Sequence, residues 1–127
     1  MATKDNQIKG YTMADDIVIY HNPRCSKSRE TLKLLEDQGI APRVVEYLKT
    51  PPDAAELTRI LALLGKRPAD ILRKKEASEA GIDAAALDDA ALVAAMVANP
   101  AVIERPIVVK GDKAALGRPP EAVLAIV

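Results

Sequence analysis

The sequence has no phenylalanine, no tryptophan and only three tyrosines among its 127 residues. Platforms that stack single-stranded bases need exposed aromatic rings, so that class of nucleic-acid binder has too little material here. The core is left to Ala, Val, Leu and Ile, as an alanine-rich coding bias would give. Net charge is lacking as well, since 18 basic residues balance 18 acidic ones. Proteins that grip phosphate backbones or anionic membranes carry a long-range positive field, which a balanced chain does not generate. No apolar run approaches the roughly 18 residues that a membrane-spanning helix needs, and residues 1–16 lack the apolar stretch of a secretory signal. Cysteine is almost absent. Cys25 stands alone, which excludes an intrachain disulfide and suits a compartment where a free thiol survives. The expectation is a soluble, cytoplasmic protein that binds neither nucleic acid nor membrane.

What is present amounts to one domain. A chain of this size, 49% hydrophobic, buries about two-thirds of its unfolded surface and can fold without metals or staples. Residues 1–16 are polar and without period, which predicts a flexible extension. Ile17-Val18-Ile19-Tyr20 reads as a strand buried on both faces, ended by His21-Asn22-Pro23. A helix is predicted from about Ser26, with Thr31, Leu32 and Leu35 on one face and Gly39 as its stop. Arg43 to Tyr47 reads as a second strand. Asp53 and Glu56 have the spacing of a helix capping pair, with Leu57, Ile60, Leu61 and Leu64 following at helical intervals up to Gly65. A short helix opened by Pro68 runs through Ile71 and Leu72 and presents Arg73 near its end. A further helix covers Asp88 to Ala98, with Leu92, Met96 and Val97 inward. Ile107-Val108-Val109 is another buried-strand run, and Lys110-Gly111-Asp112 is a turn that pairs Lys113 to Leu116 with it. Pro119-Pro120 opens a terminal helix carrying Val123, Leu124 and Val127. Strand-helix-strand, then helices, then a hairpin and a helix make an α/β fold of the thioredoxin type, a mixed four-stranded sheet flanked by helices. Residues 17–127 form one such domain, with a helical insertion at about 49–104.

Cys25 lies between the first strand and the first turn of a helix. The leading N–H groups of a helix are unpaired and carry partial positive charge, which favours thiolate over thiol and can bring a cysteine pKa from about 8.5 down to about 3.5–7.5. His21, Arg24, Lys27 and Arg29 add cationic or hydrogen-bonding groups, and Ser28 could donate to the sulfur. Taken singly, Arg24, Lys27 and Arg29 read as solvated helix-face charges. A phosphatase-type anion loop needs an arginine six positions after its cysteine, and that position holds Thr31. A dithiol redox centre needs Cys-x-x-Cys, and the second position holds Ser28. Any redox cycle at Cys25 therefore borrows an outside thiol, for which glutathione is the abundant cytosolic source.

His21-Asn22-Pro23-Arg24-Cys25-Ser26-Lys27-Ser28-Arg29 and Arg105-Pro106-Ile107-Val108-Val109, with Tyr47-Leu48, Pro51-Pro52, Leu72-Arg73-Lys74 and Gly117-Arg118-Pro119 in order, resemble the ArsC family of glutaredoxin-coupled arsenate reductases. The resemblance covers about Ile17 to the C-terminus. It implies that Cys25 is the nucleophile, that Ser28 helps stabilise its thiolate and that His21 tunes it. It implies that Arg73, Arg105 and Arg118 surround the oxyanion, and that Pro106 is the cis-proline set against the active site. Without the resemblance these arginines would read as a helix-end charge, a strand-edge charge and a turn residue. Planar guanidinium groups suit a tetrahedral oxyanion, because they bind its oxygens with paired hydrogen bonds.

The implied reaction is nucleophilic. Cys25 attacks arsenate, glutathione adds to the thiol-arsenate adduct, and glutaredoxin reduces the glutathione-linked intermediate so that arsenite leaves. Arsenate, glutathione and glutaredoxin are the expected partners of a monomer, with no metal and no tightly bound cofactor. Two other readings are a glutathione-dependent thiol oxidoreductase and a non-enzymatic regulator resembling the Spx proteins, whose Cys-x-x-Cys switch Ser28 interrupts.

Overall fold

β-Branched residues crowd a helix and suit a pleated surface, and the two runs richest in them form the central strands of the sheet in the computed structural model, which describes residues 17–127. The expected extension at residues 1–16 lies outside the described residues. The described chain falls into two compact units, one made of the residues up to Val45 with Arg105–Val127, the other of Glu46–Glu104.

The first unit holds the sheet. Its strands are β1 (Ile17–His21), β2 (Arg43–Glu46), β3 (Ile107–Lys110) and β4 (Lys113–Leu116), ordered β2-β1-β3-β4. β1 pairs antiparallel with β3, and β3 with β4 through the turn at Gly111. β2 lies beside β1 after a crossover through helix α1 (Ser26–Asp37), the connection that a parallel pair requires, so the sheet is mixed. The register sets Val108 opposite Ile19 and Ala115 opposite Val108. Ile17, Ile19, Val108, Leu35 of α1 and Val123 form the buried cluster, with Leu32, Ile40, Ala115, Ile126 and Val127 packed against it.

Side chains alternate across a strand, so His21 shares the face of Ile17 and Ile19. The buried stripe of α1 is Ser28, Thr31 and Leu35. It starts polar at its N-terminal end, where His21 meets it, and turns apolar further along.

The chain end differs from expectation. Pro120–Ala125 is a 3-10 helix rather than an α-helix. In that tighter coil residues i and i+3 eclipse, so Pro120 and Val123 are buried while Leu124 faces outward.

The second unit is helical: α2 (Ala54–Leu64), α3 (Lys74–Glu79) and α4 (Asp89–Ala98), with 3-10 turns at Pro68–Ile71, Ala84–Ala86 and Pro100–Val102. The Asp53 side chain accepts from the Glu56 N–H at 2.8 Å, and Gly65 closes α2 in the left-handed region, as the spacing predicts. Leu57, Ile60, Ile71, Leu92, Met96 and Val102 are its most deeply buried apolar residues. In α4 Val93 is buried and Val97 only partly. The second strand ends one residue early, and Tyr47 instead turns into this unit and donates from its hydroxyl to the Ile103 carbonyl at 3.3 Å. α3 has no apolar period to reveal it, because only Ala77 of its six residues is buried.

Gly117 sits where the sheet unit leaves no room for a side chain. A Cβ there would stand 2.5 Å from Thr31 Oγ1 and 2.6 Å from Pro106 Cγ, and its N–H donates to the Pro106 carbonyl at 2.9 Å. Gly117→Ala is expected to lower the unfolding free energy by about 1–3 kcal/mol through overpacking. Urea titration reads this as an earlier midpoint, and an unmoved midpoint would mean that the segment yields without cost.

Candidate active site

The junction of β1 and α1 turns within four residues. Cys25 is the N-cap of α1, in extended conformation at φ −93° and ψ 124°. Its carbonyl accepts the first helical bond, from the Arg29 N–H at 3.0 Å, and its own N–H donates to the Asn22 carbonyl at 3.0 Å. The sulfur thus sits where a capping serine or aspartate would place its oxygen.

Half-buried as it is, the sulfur makes no full capping hydrogen bond, but donors converge on it. Burial pushes the thiol up. The Ser28 N–H, the Arg105 guanidinium acting both as donor and as charge, and the Lys27 N–H together outweigh that, and the thiol titrates below its ordinary value. Arg118 Nη2 lies 3.9 Å from Sγ, a long contact even for sulfur, while its Nε donates to the Arg105 carbonyl at 2.9 Å. Arg105 is therefore the stronger partner of the thiolate, and Arg118 is moored to it. The Arg105–Pro106 peptide bond is cis, and so is Arg118–Pro119, which nothing in the sequence singled out. Arg105 Nε is buried without a hydrogen-bond partner among the described residues, so this guanidinium keeps donor capacity unused.

Ser28 acts differently from expectation. Its hydroxyl does not reach the sulfur: it accepts from the Asn22 N–H at 3.0 Å and meets His21 Nδ1 at 2.6 Å. The hydroxyl has one donor and two acceptor sites, so which partner donates in the bond with Nδ1 follows the histidine tautomer. Ser28 reaches the thiolate through its backbone N–H, and His21 is tied to the same turn through Ser28. Both side chains are buried.

Arg73 belongs to the helical unit. It is the N-cap of α3 rather than a residue near the end of a helix through Leu72, because the turn at Pro68–Ile71 stops short of it. A cation there opposes the helix dipole, and two carboxylates offset it: Nη1 bonds Glu104 at 2.9 Å and Nη2 bonds Glu76 at 3.2 Å. Its Nε, like that of Arg105, is buried without a partner among the described residues. Arg24, Lys27 and Arg29 are exposed, with Lys27 beside Glu30 at 3.9 Å and Arg29 donating to the Pro23 carbonyl at 3.1 Å. They read as the solvated charges expected of them singly.

Asn22 was not among the expected site residues, although three of its polar groups hold the turn. An Asn-Pro step at a strand end signals turn initiation, and that signal locates it.

The ArsC family model matches residues 20–126. The chain belongs to the ArsC family. Among ArsC relatives, the uncharacterized protein YfgD of Escherichia coli is 52% identical over 118 residues, covering 91% of this chain and 99% of its own. The arsenate reductase of Neisseria meningitidis serogroup A is 50% identical over 114 residues, covering 87% and 97%. The solved arsenate reductase from Vibrio cholerae superposes with a TM-score of 0.83 at 53% identity, covering 87% of this chain and 97% of its own. The α/β sheet with its flanking helices is thus the ArsC fold.

Replacing Arg105 by glutamine removes both a donor and a charge that favour the thiolate. The protonated form gains, so the pH at which half the thiol is reactive should rise. Iodoacetamide alkylation of Arg105→Gln should be slower than that of the parent at pH 6–7, with the two rates converging above the free-thiol pKa of about 8.5. Superimposable profiles would remove Arg105 from the thiolate's support.

Proposed function

We propose that this ArsC protein reduces arsenate to arsenite with electrons from glutathione, relayed by glutaredoxin. The observation that carries the reading is a depressed thiol at a helix N-terminus with two arginines beside it. The names of the relatives from Neisseria and Vibrio point the same way.

Cys25 thiolate attacks arsenic(V), and an S–As bond forms as one arsenate hydroxyl takes a proton from solvent and leaves as water. Arg105 and Arg118 bind the oxyanion and offset the charge gathering on its oxygens. Arg73, the third arginine that the family resemblance implies, belongs to the helical unit, where Glu76 and Glu104 hold it. Glutathione then replaces a second hydroxyl, so that arsenic bridges two sulfurs. A glutaredoxin thiolate attacks the glutathione sulfur, and the S–As electron pair stays on arsenic, which becomes arsenic(III). The thiols are oxidised to a glutaredoxin–glutathione disulfide, and water releases arsenite from Cys25. His21 and Ser28 hold the turn from which the thiolate acts. The cycle needs no metal or tightly bound cofactor, and a monomer suffices.

The test couples the purified protein to glutathione, glutaredoxin, glutathione reductase and NADPH. NADPH consumption should require arsenate and vanish in Cys25→Ser. Arg118→Gln should lose about 10- to 100-fold in kcat/KM, the worth of a charge-assisted hydrogen bond. Turnover of protein–glutathione mixed disulfides with none of arsenate would instead assign the thiol oxidoreductase reading.

A further inference from the structure

The turn that presents Cys25 is held by polar bonds rather than by packing. Pro23 and Arg24, its middle residues, are both exposed and bury nothing that could fix its shape. Asn22, at its start, is only 7% exposed. The Asn22 carbonyl accepts the Cys25 N–H at 3.0 Å, closing a four-residue turn with Pro23 at its second position. Its side-chain Oδ1 accepts the Arg24 N–H at 3.0 Å, a second and smaller ring nested in the first. Its own N–H donates to Ser28 Oγ at 3.0 Å, tying the turn to the first turn of α1. Across the same loop, the buried bond between His21 Nδ1 and Ser28 Oγ closes its ends, whereas the bond from Arg29 to the Pro23 carbonyl is exposed.

These bonds decide which donors the sulfur meets. With the Cys25 N–H spent on Asn22, residue 25 takes the extended N-cap conformation, and the N–H groups of Lys27 and Ser28 are left to face the sulfur. Without the Oδ1 bond the Arg24 N–H loses its partner and the turn is free to sample other shapes. The sulfur then leaves the point where those groups and Arg105 converge.

We propose that Asn22 is a positioning residue for the nucleophile, whose side chain holds the turn in the one shape that sets the Cys25 sulfur at the α1 N-terminus. The catalytic consequence rests on the arsenate-reductase reading; the effect on the thiol does not.

The test compares the parent with Asn22→Ala, which removes the acceptor, and Asn22→Ser, whose hydroxyl can close a similar though weaker turn. Iodoacetamide alkylation is followed from pH 5 to 10, beside arsenate turnover and thermal unfolding. For Asn22→Ala the alkylation midpoint should move up, slowing the reaction at pH 6.5 by roughly five- to tenfold, and kcat should fall about 10- to 100-fold, the usual scale for a displaced reacting group. Asn22→Ser should recover part of both. An alkylation profile unchanged in Asn22→Ala, whether or not its melting temperature falls, overturns the proposal. Should Asn22→Ala fail to fold, Asn22→Ser decides alone: a midpoint above the parent's supports the proposal, and a profile equal to the parent's overturns it. A parent that never turns over arsenate, with the alkylation shifts intact, would defeat the proposed reaction and leave the positioning role standing.

Discussion

An anion on a half-buried sulfur is costly unless donors surround it, and the architecture of the sheet unit follows from that constraint. No single element supplies the donors. The first turn of α1 offers two backbone N–H groups, and the chain entering β3 brings Arg105. The segment leaving β4 brings Arg118, moored to the Arg105 carbonyl. Antiparallel pairing of β3 with both β1 and β4 carries the two arginines to the end of β1, from which the Cys25 turn departs. Gly117 completes the arrangement by having no side chain where Thr31 and Pro106 crowd it.

The same turn shows how a buried polar network can shape a reactive group without touching it. Ser28 and His21 are both buried, and their side chains satisfy each other and the Asn22 N–H. The resemblance assigned Ser28 to the sulfur. The geometry divides that role: the backbone of residue 28 meets the sulfur, and its hydroxyl holds the scaffold. A substitution at 28 would disturb the scaffold first and the thiolate through it.

Much of this was legible in the sequence. β-Branched runs marked β1 and β3, Asp53 and Glu56 marked the start of α2, and the step from Tyr20 to Ser26 placed Cys25 at a helix start. Those signals are local, and local rules read them. What escaped depends on distant partners. α3 buries one alanine and has no period to detect. Arg73 takes its setting from Glu104, 31 residues away. Leu124 faces outward because the terminal coil winds with a period of three, which apolar content alone does not distinguish from an α-helical turn. The three arginines looked ordinary one at a time, and only a family pattern or the folded chain sets Arg105 and Arg118 apart.

The sheet unit is discontinuous, its two segments separated by the whole of Glu46–Glu104. A ribosome therefore delivers Cys25 well before Arg118, which follows 93 residues later. Until Arg105 and Arg118 have been made, the sulfur has only the N–H groups of its own helix end for support. The full set of donors assembles only when β3 and β4 join β1, so the thiolate's support is completed by tertiary folding and not by the local turn alone.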